Sequence, residues 1–312
     1  FDTQQNFQTK RTPRYAILLL TYIQRLIIAL QLAGKSDVVL VSGKFSLWQG
    51  GLIRLLKHQH IIAIIHGTEV LLGNPYLKKL TELCLQSFDH VIAVSRYTLD
   101  LVKHLSLQQT SVIPNGIQLK HQPIAKAIAT KEVQLITVGN LTQRKGQHNI
   151  IHALPQLVKK YPKLTYQCVG IPTNKKKLEE LARKLEVDNY VQFYGRVNHQ
   201  EKERLLQQAD IFMMLSERTK SGDVEGFGIA ILEANQFGTP AIGSKNSGIE
   251  DAIKEGDSGC LVDPHDSDAV VQAVEQILKD YEHYSYQATR WVQKFEWKNI
   301  VSSYSKTIDQ TC

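Results

Sequence analysis

Residues 211–234 read Ile211-Phe212-Met213-Met214-Leu215-Ser216-Glu217-Arg218-Thr219-Lys220-Ser221-Gly222-Asp223-Val224-Glu225-Gly226-Phe227-Gly228-Ile229-Ala230-Ile231-Leu232-Glu233-Ala234. A short apolar run gives way to a polar loop, and the loop ends on a glycine pair that opens a helical pattern. Read as strand, loop and helix, the stretch is one repeat of an α/β fold. The alternation recurs on both sides. β-branched runs at Val38–Val41, Ile61–Ile65 and Val91–Val94, then at Val133–Val138, Leu164–Val169, Tyr190–Phe193 and Pro240–Ile242, are separated by helical patterns such as Leu77–Gln86, Lys175–Leu185 and Ala269–Leu278. Strands with little polar alternation, set between helices, predict parallel sheets covered on both faces.

A chain of 312 residues, 43% hydrophobic and 21% charged, is long enough for two such domains. Turn residues and two prolines between Pro114-Asn115-Gly116 and Ala129 put the boundary there. The expected divisions are residues 1–129, 130–285 and 286–312. The aromatics of Tyr281–Ile308 are expected to pack as core.

Charge is uneven. Through Thr130 there are 14 Lys+Arg against 6 Asp+Glu, a balance of +8, and the remainder carries 23 against 24, or −1. The basic half can face a phosphorylated acceptor or an anionic membrane surface, or it can simply be a solvated face. No nucleic-acid motif accompanies it. The apolar stretch Tyr15–Ala33 holds Gln24 and Arg25 at its centre. A central arginine costs about 2.5–3.5 kcal/mol on insertion scales, so a buried or interfacial helix is expected there rather than a membrane span. No secretory signal pattern opens the chain, and it begins at Phe1, which suggests a truncated or processed form. Cys84, Cys168, Cys260 and Cys312 stand far apart without metal-ligand spacing, and His58 and His60 follow a helical run, so no disulfide framework, metal or cofactor is expected and a cytoplasmic setting fits.

Two loops carry chemistry. After Val133–Val138 comes Gly139-Asn140-Leu141-Thr142-Gln143-Arg144-Lys145-Gly146, two adjacent cations at a strand-to-helix turn suited to a diphosphate. In the opening stretch, Gly226 and Gly228 let backbone approach a ligand. Glu225 projects from the loop, and Glu233 falls about two turns into an apolar helix, where a carboxylate needs a partner such as a ribose diol. The bland readings are a surface Arg-Lys pair, a capping carboxylate and a partly exposed helix glutamate.

Taken together, Glu225 and Glu233 with seven residues between them, the cation loop and a series of shorter pieces resemble the retaining glycosyltransferase family four. The pieces are His66-Gly67-Thr68-Glu69, Phe88-Asp89-His90-Val91-Ile92-Ala93-Val94-Ser95, Ile113-Pro114-Asn115-Gly116-Ile117, Gly195-Arg196-Val197, Ala209-Asp210-Ile211-Phe212, Gly238-Thr239-Pro240-Ala241-Ile242-Gly243 and Gly259-Cys260-Leu261-Val262-Asp263-Pro264. The ordered set is specific and covers the chain from about Asp37 onward. The resemblance implies the GT-B architecture: two Rossmann-like α/β domains with parallel sheets facing a cleft, an incomplete acceptor-side domain over 1–129, a nucleotide-sugar donor domain over 130–285 and a C-terminal helix over 286–312 that crosses back toward the first domain. It implies that Arg144 and Lys145, beside Gly139 and Asn140, hold the diphosphate, and that Glu233 holds the ribose. Glu225 and the backbone of Gly226, Phe227 and Gly228 would contact the transferred sugar, His66 would line it from the other domain, and Arg196 and Val197 would flank the base.

The implied activity is metal-independent retaining transfer from a UDP- or GDP-sugar to a glycan or lipid-linked acceptor, as in cell-envelope polysaccharide or lipopolysaccharide synthesis. Two departures stand out. Asn246-Ser247-Gly248-Ile249 replaces a glycine pair common in relatives, and the family's opening strand and glycine-rich loop are not found, since Gly50-Gly51 comes too late in the domain. A glycoside hydrolase, a nucleotide-sugar epimerase of the same fold and a non-catalytic nucleotide-sugar-binding fragment are the alternatives.

Overall fold

The structure is a computed structural model that describes residues 8–13, 15–119, 123–127 and 132–311; the expected boundary at Ala129–Thr130, with Phe1 and Cys312, lies outside the described residues. The N-terminal part runs α1 (Leu18–Ala33), β1 (Val38–Ser42), α2 (Lys44–Lys57), β2 (His60–Ile65), α3 (Pro75–Ser87), β3 (His90–Ala93), α4 (Arg96–Asp100) and β4 (Thr110–Val112). The C-terminal part runs β5 (Gln134–Val138), α5 (Gln147–Lys160), β6 (Thr165–Val169), α6 (Lys175–Lys184), β7 (Val191–Gly195), α7 (His199–Gln208), β8 (Ile211–Met214), α8 (Ile229–Asn235), β9 (Ala241–Ser244), β10 (Gly259–Val262), α9 (Ser267–Lys279), α10 (Tyr281–Gln293) and α11 (Trp297–Thr311).

Both sheets are wholly parallel, as the unbroken apolar strands require, with orders β1-β2-β3-β4 and β10-β9-β8-β5-β6-β7. Two strands escaped the sequence reading. Thr110–Val112 is short and half polar, and Gly259–Val262 opens on a residue that weakens strand patterns. In the second sheet the order reverses between β5 and β8, and a crevice beyond the carboxyl ends of the strands opens at such a reversal.

Each sheet is buried on both faces. Leu135, Tyr166 and Met213 join Leu154 and Val274 on one side of the second sheet, while Ile136, Phe212 and Met214 join Leu205, Ile231 and Val292 on the other. In the first sheet Ile61, Ala63 and Val91 pack on Leu47 and Leu85. Its other face, Ile62 and Ile92 with Ile113, is covered by Ile300, Tyr304 and Ile308 of α11, so the chain's last helix closes the first domain. Burying one isoleucine of this kind is worth about 1.5–3 kcal/mol. The crossing back comes at Phe295–Trp297, where Ile117 N donates to Phe295 O at 2.7 Å and Trp297 N to Ile117 O at 3.0 Å, and the expected division at Tyr286 falls inside α10. Tyr281 and Tyr284 are core residues, and Trp291 meets Phe295 edge-on. Gly50 and Gly51 are packing glycines: a Cβ at Gly51 would lie 2.4 Å from Cys84 Sγ. Among the described residues no helix is long and apolar enough to cross a membrane. Helix α1 turns Leu18, Leu19, Ile23 and Ile27 outward beside Arg25, whose Nε donates to Thr12 at 3.0 Å.

The linker is pinned from inside. Lys126 Nζ donates to Leu206 O, Ala209 O and Thr239 Oγ1 at 3.2, 2.8 and 2.6 Å, using all three ammonium protons, and Lys126 N donates to Ser285 Oγ at 2.6 Å. Burial pulls this ammonium down to about 7 from 10.5, against the opposing pull of Asp210. Between those values the unfolded chain holds a proton that the folded chain does not, so stability rises with pH. Urea unfolding of the native chain between pH 7 and 10 is expected to show that rise, of order 1 kcal/mol per pH unit for this group, and Lys126→Met is expected to flatten it.

Candidate active site

The loops after β5 and β8 meet at the reversal of strand order. After β5 a single 3-10 turn, Gln143–Lys145, lifts both cations off the sheet, and Gly146 at φ +70° starts α5. That glycine is required: a Cβ there would lie 1.7 Å from Leu215 O at the end of β8. The close approach brings the two loops together. Lys145 Nζ lies 2.6 Å from Glu225 Oε2, Arg144 Nη1 bonds the same oxygen, and Arg144 Nε reaches Asp223 Oδ2 at 3.2 Å. The Lys145 stem lies across Gly139, whose missing side chain leaves it room.

Glu217 braces the turn from behind. Its backbone N donates to Arg144 O at 3.1 Å, and its carboxylate accepts from Gln143 Nε2 at 2.7 Å and Asn149 Nδ2 at 3.4 Å, with His148 and His265 nearby at 3.3 and 3.5 Å. Burial pushes this carboxyl up, but the contacts with Gln143, His148, Asn149 and His265 outweigh burial and hold it below the ordinary glutamate range.

Beyond Glu225 the glycines form a seam between the domains. A Cβ on Gly226 would lie 2.0 Å from His66 O, and one on Gly248 would lie 2.1 Å from Gly226 O. Gly248 N donates to Glu225 O at 3.0 Å, and Thr98 Oγ1 to Gly226 O at 3.4 Å. His66 thus faces the cluster from the end of β2, with Nε2 3.0 Å from Ser42 Oγ and its backbone N donating to Glu69 Oε2 at 3.1 Å. The cleft so formed holds about 370 Å³ and is lined by His66, Asn115, Arg144, Lys145, Glu225 and the Gly226–Gly228 backbone. Phe227 contributes backbone only; its ring is buried against Phe295.

Glu233 lies on α8, and what pairs with it is Lys202 of α7, Nζ to Oε1 at 2.7 Å, rather than the apolar residues of its own helix. Arg196 and Val197 follow β7, the edge strand two removed from β5, and do not line the cleft with the others; Arg196 is exposed and Val197 packs into the core. Asn140 is exposed, and its backbone O accepts from Gln147 Nε2 at 3.2 Å. Sequence reasoning missed Asp223, Glu217, Lys202 and Ser42, each brought in by the fold. It also missed Gly170, where a Cβ would lie 2.1 Å from Gly139 O; a glycine just past a strand was its available signal.

Two oppositely charged groups in a half-buried cleft, with backbone laid bare by glycines, suit an anionic ligand whose charge changes during reaction. A model of the family described as glycosyl transferases group 1 matches residues 120–291, and one of glycosyltransferase family 4 matches residues 3–121. The glycogen synthase of Mycobacterium tuberculosis is 31% identical over 202 residues, 63% of this chain and 47% of the relative. A GDP-mannose-dependent alpha-(1-6)-phosphatidylinositol monomannoside mannosyltransferase of Mycolicibacterium smegmatis is 29% identical over 244 residues, 74% of this chain and 64% of the relative. The chain therefore spans about half the length of the first of these relatives and under two thirds of the second. Among solved structures, Anabaena Alr3699/HepE in complex with UDP and glucose superposes with a TM-score of 0.76 at 19% identity, over 96% of this chain and 84% of that one, so the fold is GT-B.

Gly226→Ala is expected to force the seam apart, costing about 1–3 kcal/mol as overpacking does. Small-angle scattering should report a larger radius of gyration than for the parent chain, whereas an unchanged radius would mean that the seam yields locally.

Proposed function

The chain belongs to the glycosyl transferases group 1 family, and on that premise we propose that it transfers a sugar from a UDP- or GDP-sugar to a hydroxyl of a glycan or lipid-linked acceptor. The observation that carries the reading is the convergence of Arg144 and Lys145 on Glu225 at the strand reversal, with Glu233 on the helix that follows. In this reading the diphosphate takes over Arg144 and Lys145 from Glu225, and the freed carboxylate turns to the hydroxyls of the transferred sugar. The bond between anomeric carbon and phosphate oxygen loosens as the cations neutralise the leaving group. The acceptor oxygen then forms its bond on the same face, and its proton passes to the departing diphosphate. Configuration is retained without an enzymic nucleophile, and the positive charges already in place supply what a metal would. Glu233, oriented by Lys202, takes the ribose hydroxyls, while Arg196 and Val197 approach the base.

A hydrolase reading fits the site less well. Glu225 lines the cleft, but Glu233 pairs with Lys202 of α7 and is not among the residues that line the cleft with it, so the two carboxylates do not flank a common scissile bond. The outward apolar face of α1, within the basic half of the chain, supports peripheral contact with an anionic membrane as part of the same proposal.

Calorimetric titration with UDP and with GDP, in the absence of metal, is expected to give micromolar binding of one of them. Glu233→Ala should weaken that binding at least tenfold. Lys145→Ala should lower turnover of the matching sugar donor by about 10²–10³, the usual loss when one charge-stabilising donor is removed. If neither nucleotide binds the folded chain, the transfer reading falls. Co-sedimentation with phosphatidylglycerol vesicles tests the membrane contact: Leu19→Glu with Ile23→Glu should abolish pelleting, and retention by that variant would place the contact elsewhere.

A further inference from the structure

A second contact crosses between the domains at some remove from the charged cluster. Asp251, at the end of the 3-10 turn Gly248–Ala252, accepts from Arg96 Nε at 2.6 Å and also from the backbone N of Arg96, the first residue of α4. Asp251 is the sheltered partner, 12% exposed, and Arg96 the open one, at 78%. Both residues sit on elements that bond to residues lining the cleft. Gly248 opens the turn that holds Asp251 and donates to Glu225 O, and Thr98 of α4 donates to Gly226 O. Ser95 locks the start of α4, its Oγ accepting from Thr98 N and donating to Thr98 Oγ1, both at 3.0 Å. The turn that carries Asp251, bonded to the Glu225 loop, is therefore tied to the start of α4 in the domain that carries His66.

We propose that Arg96 and Asp251 are positioning residues, which fix how far His66 stands from Glu225 across the cleft. The glycine seam cannot do this alone. Its contacts limit how closely the domains approach, at Gly226 against His66 O and at Gly222 against Leu71 O, and against separation the seam offers the Thr98 Oγ1 bond to Gly226 O, which is long at 3.4 Å. The carboxylate of Asp251 also resists separation, through a charge-assisted bond to a backbone donor and a second to the guanidinium. The backbone bond fixes direction as well as distance, since Arg96 N cannot swing as a side chain can. The importance of the pair to the reaction rests on the transfer reading, whereas its geometry rests on the fold alone.

The test measures the domain separation directly. Spin labels are placed on Tyr76→Cys in α3 and Lys176→Cys in α6, both exposed, in a Cys312→Ser background; Cys84, Cys168 and Cys260 are buried. Double electron–electron resonance should give one narrow distance distribution for the parent. In Asp251→Asn and Arg96→Ala it should broaden toward longer distances, and Asp251→Glu should restore it in part. Nucleotide affinity and melting temperature should stay at the parent values, while kcat for the donor falls about tenfold. Distributions in both variants that match the parent would overturn the proposal, as would a fall in melting temperature that accounts for the whole loss of turnover. If the parent binds no nucleotide, the transfer reading fails and the distance distributions still decide whether the pair positions the domains.

Discussion

The site depends on one close approach, that of Gly146 to the carbonyl of Leu215. Parallel strands β5 and β8 are neighbours in space although β6, β7 and three helices lie between them in the chain, and their following loops can share a ligand only if nothing stands between them. A hydrogen in place of a side chain at Gly146 satisfies that condition. From it follow the lift of Arg144 and Lys145, their meeting with Glu225, and the use of Glu217 as a brace that ties turn to loop by both backbone and side chain. A carboxylate held between two cations keeps three charges in a sheltered cleft at modest cost, since each has a partner until a ligand displaces one.

Glycine plays a related part between the domains. Gly226 and Gly248 stack backbone on backbone, so that the loop carrying Glu225 is gripped by His66 O on one side and by the Gly248–Ala252 turn on the other. Departure from the family's glycine pair at Asn246-Ser247-Gly248 is thereby explained in part. Gly248 keeps the position that no side chain could occupy, Ser247 caps the turn through its Oγ, and Asn246 takes a left-handed backbone that asparagine tolerates well.

Much of this was legible in the sequence. Apolar runs between helical patterns fixed eight of the strands, because a parallel strand buried on both faces leaves an uninterrupted signature. The place of the cation loop was legible because it follows β5 directly, and that of Glu225 because the glycines beside it open a helix. What stayed hidden was partnership. Glu233 on an apolar helix called for a counter-group, and a ribose was the candidate in view; that Lys202 supplies one depends on how α7 lies against α8, which no local pattern encodes. Asp251 and Arg96, 155 residues apart, were invisible for the same reason. The placement of Arg196 and Val197 at an edge strand required the strand order, and spacing in the sequence does not give it.

The chain passes between the domains at Ile117 and again at Phe295–Trp297, and the two passages are hydrogen-bonded to each other. A Cβ on Gly116 would lie 2.5 Å from the Trp297 ring, so they are packed as one body. Two connections at separate places would hold the halves rigid, and one thin connection would let them wander; two bound together act as a single pivot. The pivot, with the contacts across the cleft, holds each half at a high effective concentration to the other, so a ligand bridging the two would give up little freedom on binding.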